Sequence, residues 1–66
     1  MSARQWIQCA ESVGFSVASD FIADRPSWSE IAKEAEDMAI ECDPETVVGQ
    51  LRHSKLLDIA RKAKRS

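Results

Sequence analysis

The chain has 66 residues, so it can form at most one domain, and a domain of this size buries only about 60% of the surface that its unfolded chain exposes. An apolar fraction of 44% and a charged fraction of 30% are typical of a folded soluble protein and exclude a disordered chain. The net charge of −2 conceals a division, because residues 1–50 carry three basic and ten acidic side chains, whereas residues 51–66 carry six basic and one acidic.

The first predicted helix covers residues 3–13. Trp6, Cys9, Ala10 and Val13 recur at helical spacing, and Gly14 then supplies a residue that can take positive φ at a helix end. The spacing predicts that these four side chains share one apolar face.

A second, shorter helix is predicted over residues 16–23, with Ser16 as its N-cap. Phe15, in the turn before it, is expected to fill the core. The inner face of this helix is predicted to comprise four apolar residues: Val17, Ala18, Phe21 and Ile22.

The strongest helix signal lies over residues 27–42, which we expect to form the central helix of the domain. Ser27 and Glu30 have the spacing of a capping box, and the apolar residues from Trp28 to Cys42 recur at steps of three and four. Ile40 lies roughly 120° from Trp28 around this helix. We expect the C-terminal helices to cover Ile40, with a partner-binding patch as the alternative.

The C-terminal region is predicted to contain two helices. Asp43 and Pro44 are typical of an N-cap and a first helical position. The apolar residues at 47, 48 and 51 lie on a different helix face from those at 56, 59, 60 and 63, so one straight helix cannot bury both sets. We therefore predict a break at residues 52–54, or a hinge at Gly49, and a last helix to residue 64. The basic end, residues 61–66, is free to fray.

Metal, cofactor and catalytic chemistry find little support in the sequence. Cys9 and Cys42 lie on separate predicted helices, and together with His53 they cannot supply four zinc ligands. There is no glycine-rich phosphate loop and no nucleophile elbow. We expect no enzyme activity, no cofactor and no small-molecule substrate. The absence of a signal-peptide pattern and of a long apolar run predicts a cytoplasmic protein with no membrane contact.

One local pattern bears on DNA binding. The stretch Ala10-x-x-Val13-Gly14-Phe15-Ser16-x-x-Ser19-x-Phe21 resembles the helix-turn-helix of AraC-type transcription activators. The resemblance covers twelve residues and implies a DNA-binding regulator whose second helix enters a groove. Asp20 stands where that family usually has an uncharged aromatic residue, and an acid there repels phosphate.

Two functional hypotheses therefore stand. The first is a small all-α regulatory or adaptor protein of four to five short helices that binds another protein or a second copy of itself, with Trp6 and Ile40 as apolar contacts. The alternative is a helix-turn-helix transcriptional regulator turning at Gly14-Phe15-Ser16. The residues that would then contact DNA are Ser16, Ser19, Arg25, Arg61, Lys62, Lys64 and Arg65.

Overall fold

The computed structural model describes residues 1–66 and contains four α-helices and no β-strand. The helices are α1 (Ala3–Val13), α2 (Phe15–Phe21), α3 (Trp28–Glu41) and α4 (Val47–Arg65). The predicted all-helical class is confirmed, with four helices rather than five. Helix α3 packs along α4 in an antiparallel hairpin and contacts α1 on another side, so it is the central helix that the sequence predicted.

Helices α1 and α2 meet at a single residue. Ser2 and Gln5 form a reciprocal capping box at the start of α1, and Gly14 ends it with a φ of +101°. A residue other than glycine rarely adopts this φ, which explains the glycine here. The prediction that Ser16 caps α2 is wrong, because α2 begins directly after Gly14 and Ser16 is already inside that helix.

Helix α3 begins as predicted. The Ser27 side chain accepts a hydrogen bond from the backbone N–H of Glu30 at 3.3 Å. The buried stripe of this helix, which faces both α1 and α4, consists of Ile31, Ala32, Ala35, Met38 and Ala39. Four of the five are alanine or β-branched, and the three alanines let the neighbouring helices approach closely.

Helix α4 corrects two predictions. It begins after Thr46, whose hydroxyl accepts a hydrogen bond from the N–H of Gly49, so Asp43 is not the N-cap. It then continues without interruption to Arg65, so the predicted break at residues 52–54 is wrong. A straight helix is possible because it buries only one of the two apolar faces, the one that carries Leu56, Ile59, Ala60 and Ala63. The basic end at residues 61–66 continues the helix to Arg65.

The core contains thirteen buried residues, all of them apolar. Its largest member, Trp6, meets the partly buried Phe15 and Trp28 in an aromatic cluster. The ring centroids lie 5.5 Å apart for Trp6 and Phe15, 5.7 Å for Trp6 and Trp28, and 5.4 Å for Phe15 and Trp28. This cluster joins α1, α2 and α3. Phe15 packs against the core but is only partly buried, and it is the first residue of α2 rather than part of a turn before it.

The predicted inner face of α2 is only partly buried. Ala18 is buried and Ile22 packs against the core, whereas Val17 is 43% and Phe21 82% exposed. A helix of two turns can present only one or two side chains to a core that α3 and the aromatic cluster already occupy. The prediction that Phe21 points inward is therefore wrong.

Candidate functional site

Four large aliphatic side chains are exposed at one end of the hairpin formed by α3 and α4. Ile40 lies in the last turn of α3 and is 79% exposed, while Val47, Val48 and Leu51 lie in the first two turns of α4 and are 73%, 68% and 61% exposed. We call these four residues the hairpin-end patch. Isolated apolar residues are common on protein surfaces, but several at one end of so small a domain mark a candidate contact surface.

The turn between the two helix ends that carry the patch is ordered by hydrogen bonds to its own backbone. The Asp43 carboxylate accepts from the N–H of Glu45 at 2.9 Å, and the Thr46 hydroxyl donates to the carbonyl of Asp43 at 3.3 Å. The Gln50 side chain donates to the carbonyl of Pro44 at 2.9 Å. These bonds hold residues 43–46 against the first turn of α4, so the patch is presented by a defined backbone.

Gly49 permits this close approach of the turn to the helix. A Cβ at this position would overlap the carbonyl oxygen of Asp43 and would lie 2.7 Å from the Thr46 hydroxyl. The sequence suggested Gly49 as a hinge, but the structure places it inside α4, where the missing side chain lets the turn fold back.

Further contacts join the hairpin end to the rest of the domain. The Nδ1 atom of His53 lies 2.9 Å from the carbonyl oxygen of Ala39, which links α4 to α3. The Nε and Nη2 atoms of Arg52 each donate to a carboxylate oxygen of Glu11 at 3.2 Å, which links α4 to α1. Hydrogen bonding to Glu11 raises the pKa of the Arg52 guanidinium above its ordinary value.

A second ion-pair group joins α1 to α3 near the same end. Arg4 donates to Glu41 at 2.7 Å and to Glu34 at 3.1 Å. The hydrogen bond with Glu41, followed by the one with Glu34, raises the pKa of Arg4. Arg4 and Glu41 line a cleft together with Arg52 of α4, so the group borders the hairpin end, while Ile40 stays exposed.

Charged side chains flank the hairpin-end patch along α4. Asp43 and Glu45 lie in the turn before Val47, and Lys55 lies one helical turn after Leu51. All three are exposed, and none forms an ion pair within the chain. From the N-terminal end of α4 onward, the surface is therefore first acidic, then apolar and then basic.

The structure separates the two residues that the sequence proposed as protein contacts. Ile40 is exposed and belongs to the hairpin-end patch, so the expectation that the C-terminal helices cover it is wrong. Trp6 is completely buried in the aromatic cluster and cannot contact a partner of the folded domain. The proposed role of Trp6 as a surface contact is therefore corrected, since its helical spacing reflected the core.

Sequence reasoning missed Val47, Val48 and Leu51 as surface residues, although the signal was present. Two apolar faces that one straight helix cannot bury together were interpreted as a helix break. The same observation is explained by one continuous helix whose first apolar face remains exposed.

Several residues proposed as DNA contacts are engaged inside the domain. Lys62 pairs with Asp58 at 2.9 Å, and Lys64 pairs with Glu36. The Arg25 guanidinium stacks 3.8 Å above the ring of Trp28 and donates to the carbonyl of Pro26.

The remaining candidates for DNA contact do not form one group. The hydroxyl of Ser19 is buried, while Ser16 is exposed in the first turn of α2. Arg61 and Arg65 are exposed in the last turns of α4 and form no ion pair. Only one residue, Gly14, separates α1 from α2, whereas helix-turn-helix motifs have a turn of three to four residues.

No group of three or more His, Cys, Asp or Glu side chains is arranged to hold a metal ion. Cys9 and Cys42 are both free thiols. None of the four helices combines the length and the apolar character that crossing a membrane requires.

Comparison with known protein families, with curated proteins and with solved structures finds no match to this chain.

Proposed function

We propose that the protein is a small non-catalytic regulatory or adaptor protein that acts by docking its hairpin-end patch on another protein molecule. One observation carries this proposal: four large aliphatic side chains remain at least 61% exposed on the two helix ends that flank a turn fixed by its own hydrogen bonds. A rigid apolar surface loses little conformational entropy when a partner covers it, so its burial favours association.

The alternative explanation is that the patch is exposed to solvent and has no binding partner. Exposure of Ile40, Val47 and Leu51 costs free energy in water that rearrangement of a flexible end could reduce. Here the close approach at Gly49 and the Thr46 cap keep the turn in place. The patch is therefore better explained by contact with a second protein molecule.

DNA binding is the second candidate, and one observation favours it: Arg61 and Arg65 present unpaired positive charge at the end of α4. The intramolecular pairing of Lys62 and Lys64 reduces the charge available for phosphate. We therefore place protein binding first.

A site-specific cross-link tests the proposal in the cell. Leu51 would be replaced by an amino acid that carries a photoreactive benzophenone, and Phe21 by the same amino acid as a matched control. Phe21 is 82% exposed but lies on α2, outside the patch. After irradiation we expect protein adducts from position 51 and few from position 21, with each adduct identified by mass spectrometry.

Two outcomes would contradict the proposal. The absence of a protein adduct from position 51 would exclude the patch as a docking surface. Nucleic acid bound to the purified protein, and lost on replacing Arg61 and Arg65 by alanine, would support the DNA-binding alternative instead.

A further inference from the structure

The exposed side of α4 has an order of charge that suits one particular partner. Val47, Leu51 and Lys55 are spaced four residues apart, so they lie in one row along the helix. The acidic residues Asp43 and Glu45 immediately precede this row. The row therefore has an acidic end, an apolar middle and a basic end.

The charged side chains at the two ends of the row lie too far apart to form an ion pair with each other within one chain. Val47 and Lys55 are eight residues apart, which corresponds to about 12 Å along the helix axis. No ion pair forms at either end. Both ends are thus available to a partner molecule.

Resting on the proposed function, we infer that the partner of the hairpin-end patch is a second copy of this chain, packed with its α4 antiparallel to the first. A two-fold axis level with residue 49, midway between Val47 and Leu51 along the helix, would place Val47 and Leu51 of each copy against the same pair of the other. Lys55 of each copy would then lie near Asp43 and Glu45 of the other. A two-fold symmetric interface must be self-complementary, and this row meets that condition.

The charges also decide the orientation of the two helices. In a parallel pair, Lys55 would lie beside Lys55 and the two acidic turns would lie together, which is repulsive. In the antiparallel pair each of these contacts is instead between opposite charges. Charges that flank an apolar seam set helix orientation in coiled coils in the same way. The polar side chains of Gln50 and Ser54 border the seam.

The contact surface is small, because each copy contributes two turns of helix with Ile40 and Val48 at its edges. Interfaces of this size form weak complexes, and we expect a dissociation constant of roughly micromolar magnitude. The purified full chain would be followed by sedimentation equilibrium from about 10 µM to about 1 mM, a range over which mass action should convert monomer to dimer.

Charge reversal tests the geometry. We expect Glu45→Lys and Lys55→Glu each to weaken self-association roughly tenfold, since each places like charges together twice in the symmetric dimer. The double variant Glu45→Lys/Lys55→Glu should recover part of the lost association, because the two reversed charges again attract each other while Asp43 stays acidic. Neither side chain makes an intramolecular ion pair, so the helical content by circular dichroism should be unchanged.

Leu51→Asp, in the middle of the seam, should leave a monomer at every concentration. Phe21→Asp, on α2, is the control and should sediment as the wild type does. If Leu51→Asp lost its helical content, Leu51→Ser would replace it as the test of the seam.

The inference would be overturned by a wild-type chain that stays monomeric at about 1 mM, or by a dimer that the charge reversals and Leu51→Asp do not affect. A monomeric chain whose position 51 cross-links to a different protein would overturn the second copy as partner and leave the proposed function standing. The absence of both self-association and cross-links would overturn the two together.

Discussion

The two ends of α3 are held in opposite ways. At its first turn, Trp28 lies in the aromatic cluster, where it packs against the buried Trp6 and the partly buried Phe15. At its last turn, Ile40 is exposed, and the order of the neighbouring turn comes from hydrogen bonds to the backbone. The comparison indicates that stability is concentrated at the aromatic end, while the hairpin end is ordered but keeps its apolar surface available.

The difference follows from which face of α4 packs in the core. The buried face of α4 carries Leu56, Ile59, Ala60 and Ala63. Val47, Val48 and Leu51 lie on a different face of the same straight helix, so they remain exposed.

The largest effect is expected from Trp6→Ala. The loss of a fully buried tryptophan should lower the free energy of unfolding by about 3–5 kcal/mol, which is comparable with the total stability of a domain of this size. Phe21→Ala, at an exposed position, should change it by less than about 0.5 kcal/mol. Urea denaturation followed by far-UV circular dichroism measures both. Equal effects of the two substitutions would show that stability is not concentrated at the aromatic end.

Gly49→Ala should have the next largest effect, and its sign is opposite to the usual one. In an ordinary helix interior, alanine is more stable than glycine by roughly 0.5–1 kcal/mol. Here the added Cβ would overlap the Asp43 carbonyl oxygen, so we expect a destabilisation of about 1–3 kcal/mol. Thermal unfolding measures the change, with the neighbouring Val48→Ala as control. A melting temperature raised by Gly49→Ala would contradict the close packing of the turn.

The smallest effect is expected where α1 meets the hairpin end. Arg52→Gln removes the ion pair with Glu11, which is solvent-screened because the Arg52 side chain is 48% exposed. We expect a destabilisation below about 1 kcal/mol. Urea midpoints should differ from wild type at low ionic strength and converge at about 1 M salt. Lys55→Gln, which removes an unpaired charge, is the control, and a difference unaffected by salt would argue that packing, not charge, holds this contact.

The sequence predicts the features of this fold that depend on neighbouring residues. The Ser27 cap, the stripe of α3 and the stop at Gly14 each follow from residues within one or two turns. The start of α4 does not, because Asp43 and Thr46 are both good caps and the choice depends on how closely the turn packs against Gly49.

The candidate site could be predicted only in part, for a related reason. Helical spacing gives the direction of a side chain but not whether another helix covers it. Trp6 and Leu51 each lie on an apolar face of their helix, yet one is completely buried and the other is 61% exposed. Only the packing of α1 and α3 around Trp6 separates the two cases.

The hairpin of α3 and α4 also bears on the order in which the domain folds. The two helices are joined by residues 42–46, so their contacts need the closure of only a short loop, which forms quickly. The contacts of α1 with this hairpin join residues 30 to 41 positions apart, such as Arg4 with Glu34 and Arg52 with Glu11. We expect the hairpin to form first and α1 to dock afterwards. The hairpin-end patch would then be present before the aromatic cluster closes, so self-association could begin with a chain that is not yet completely folded.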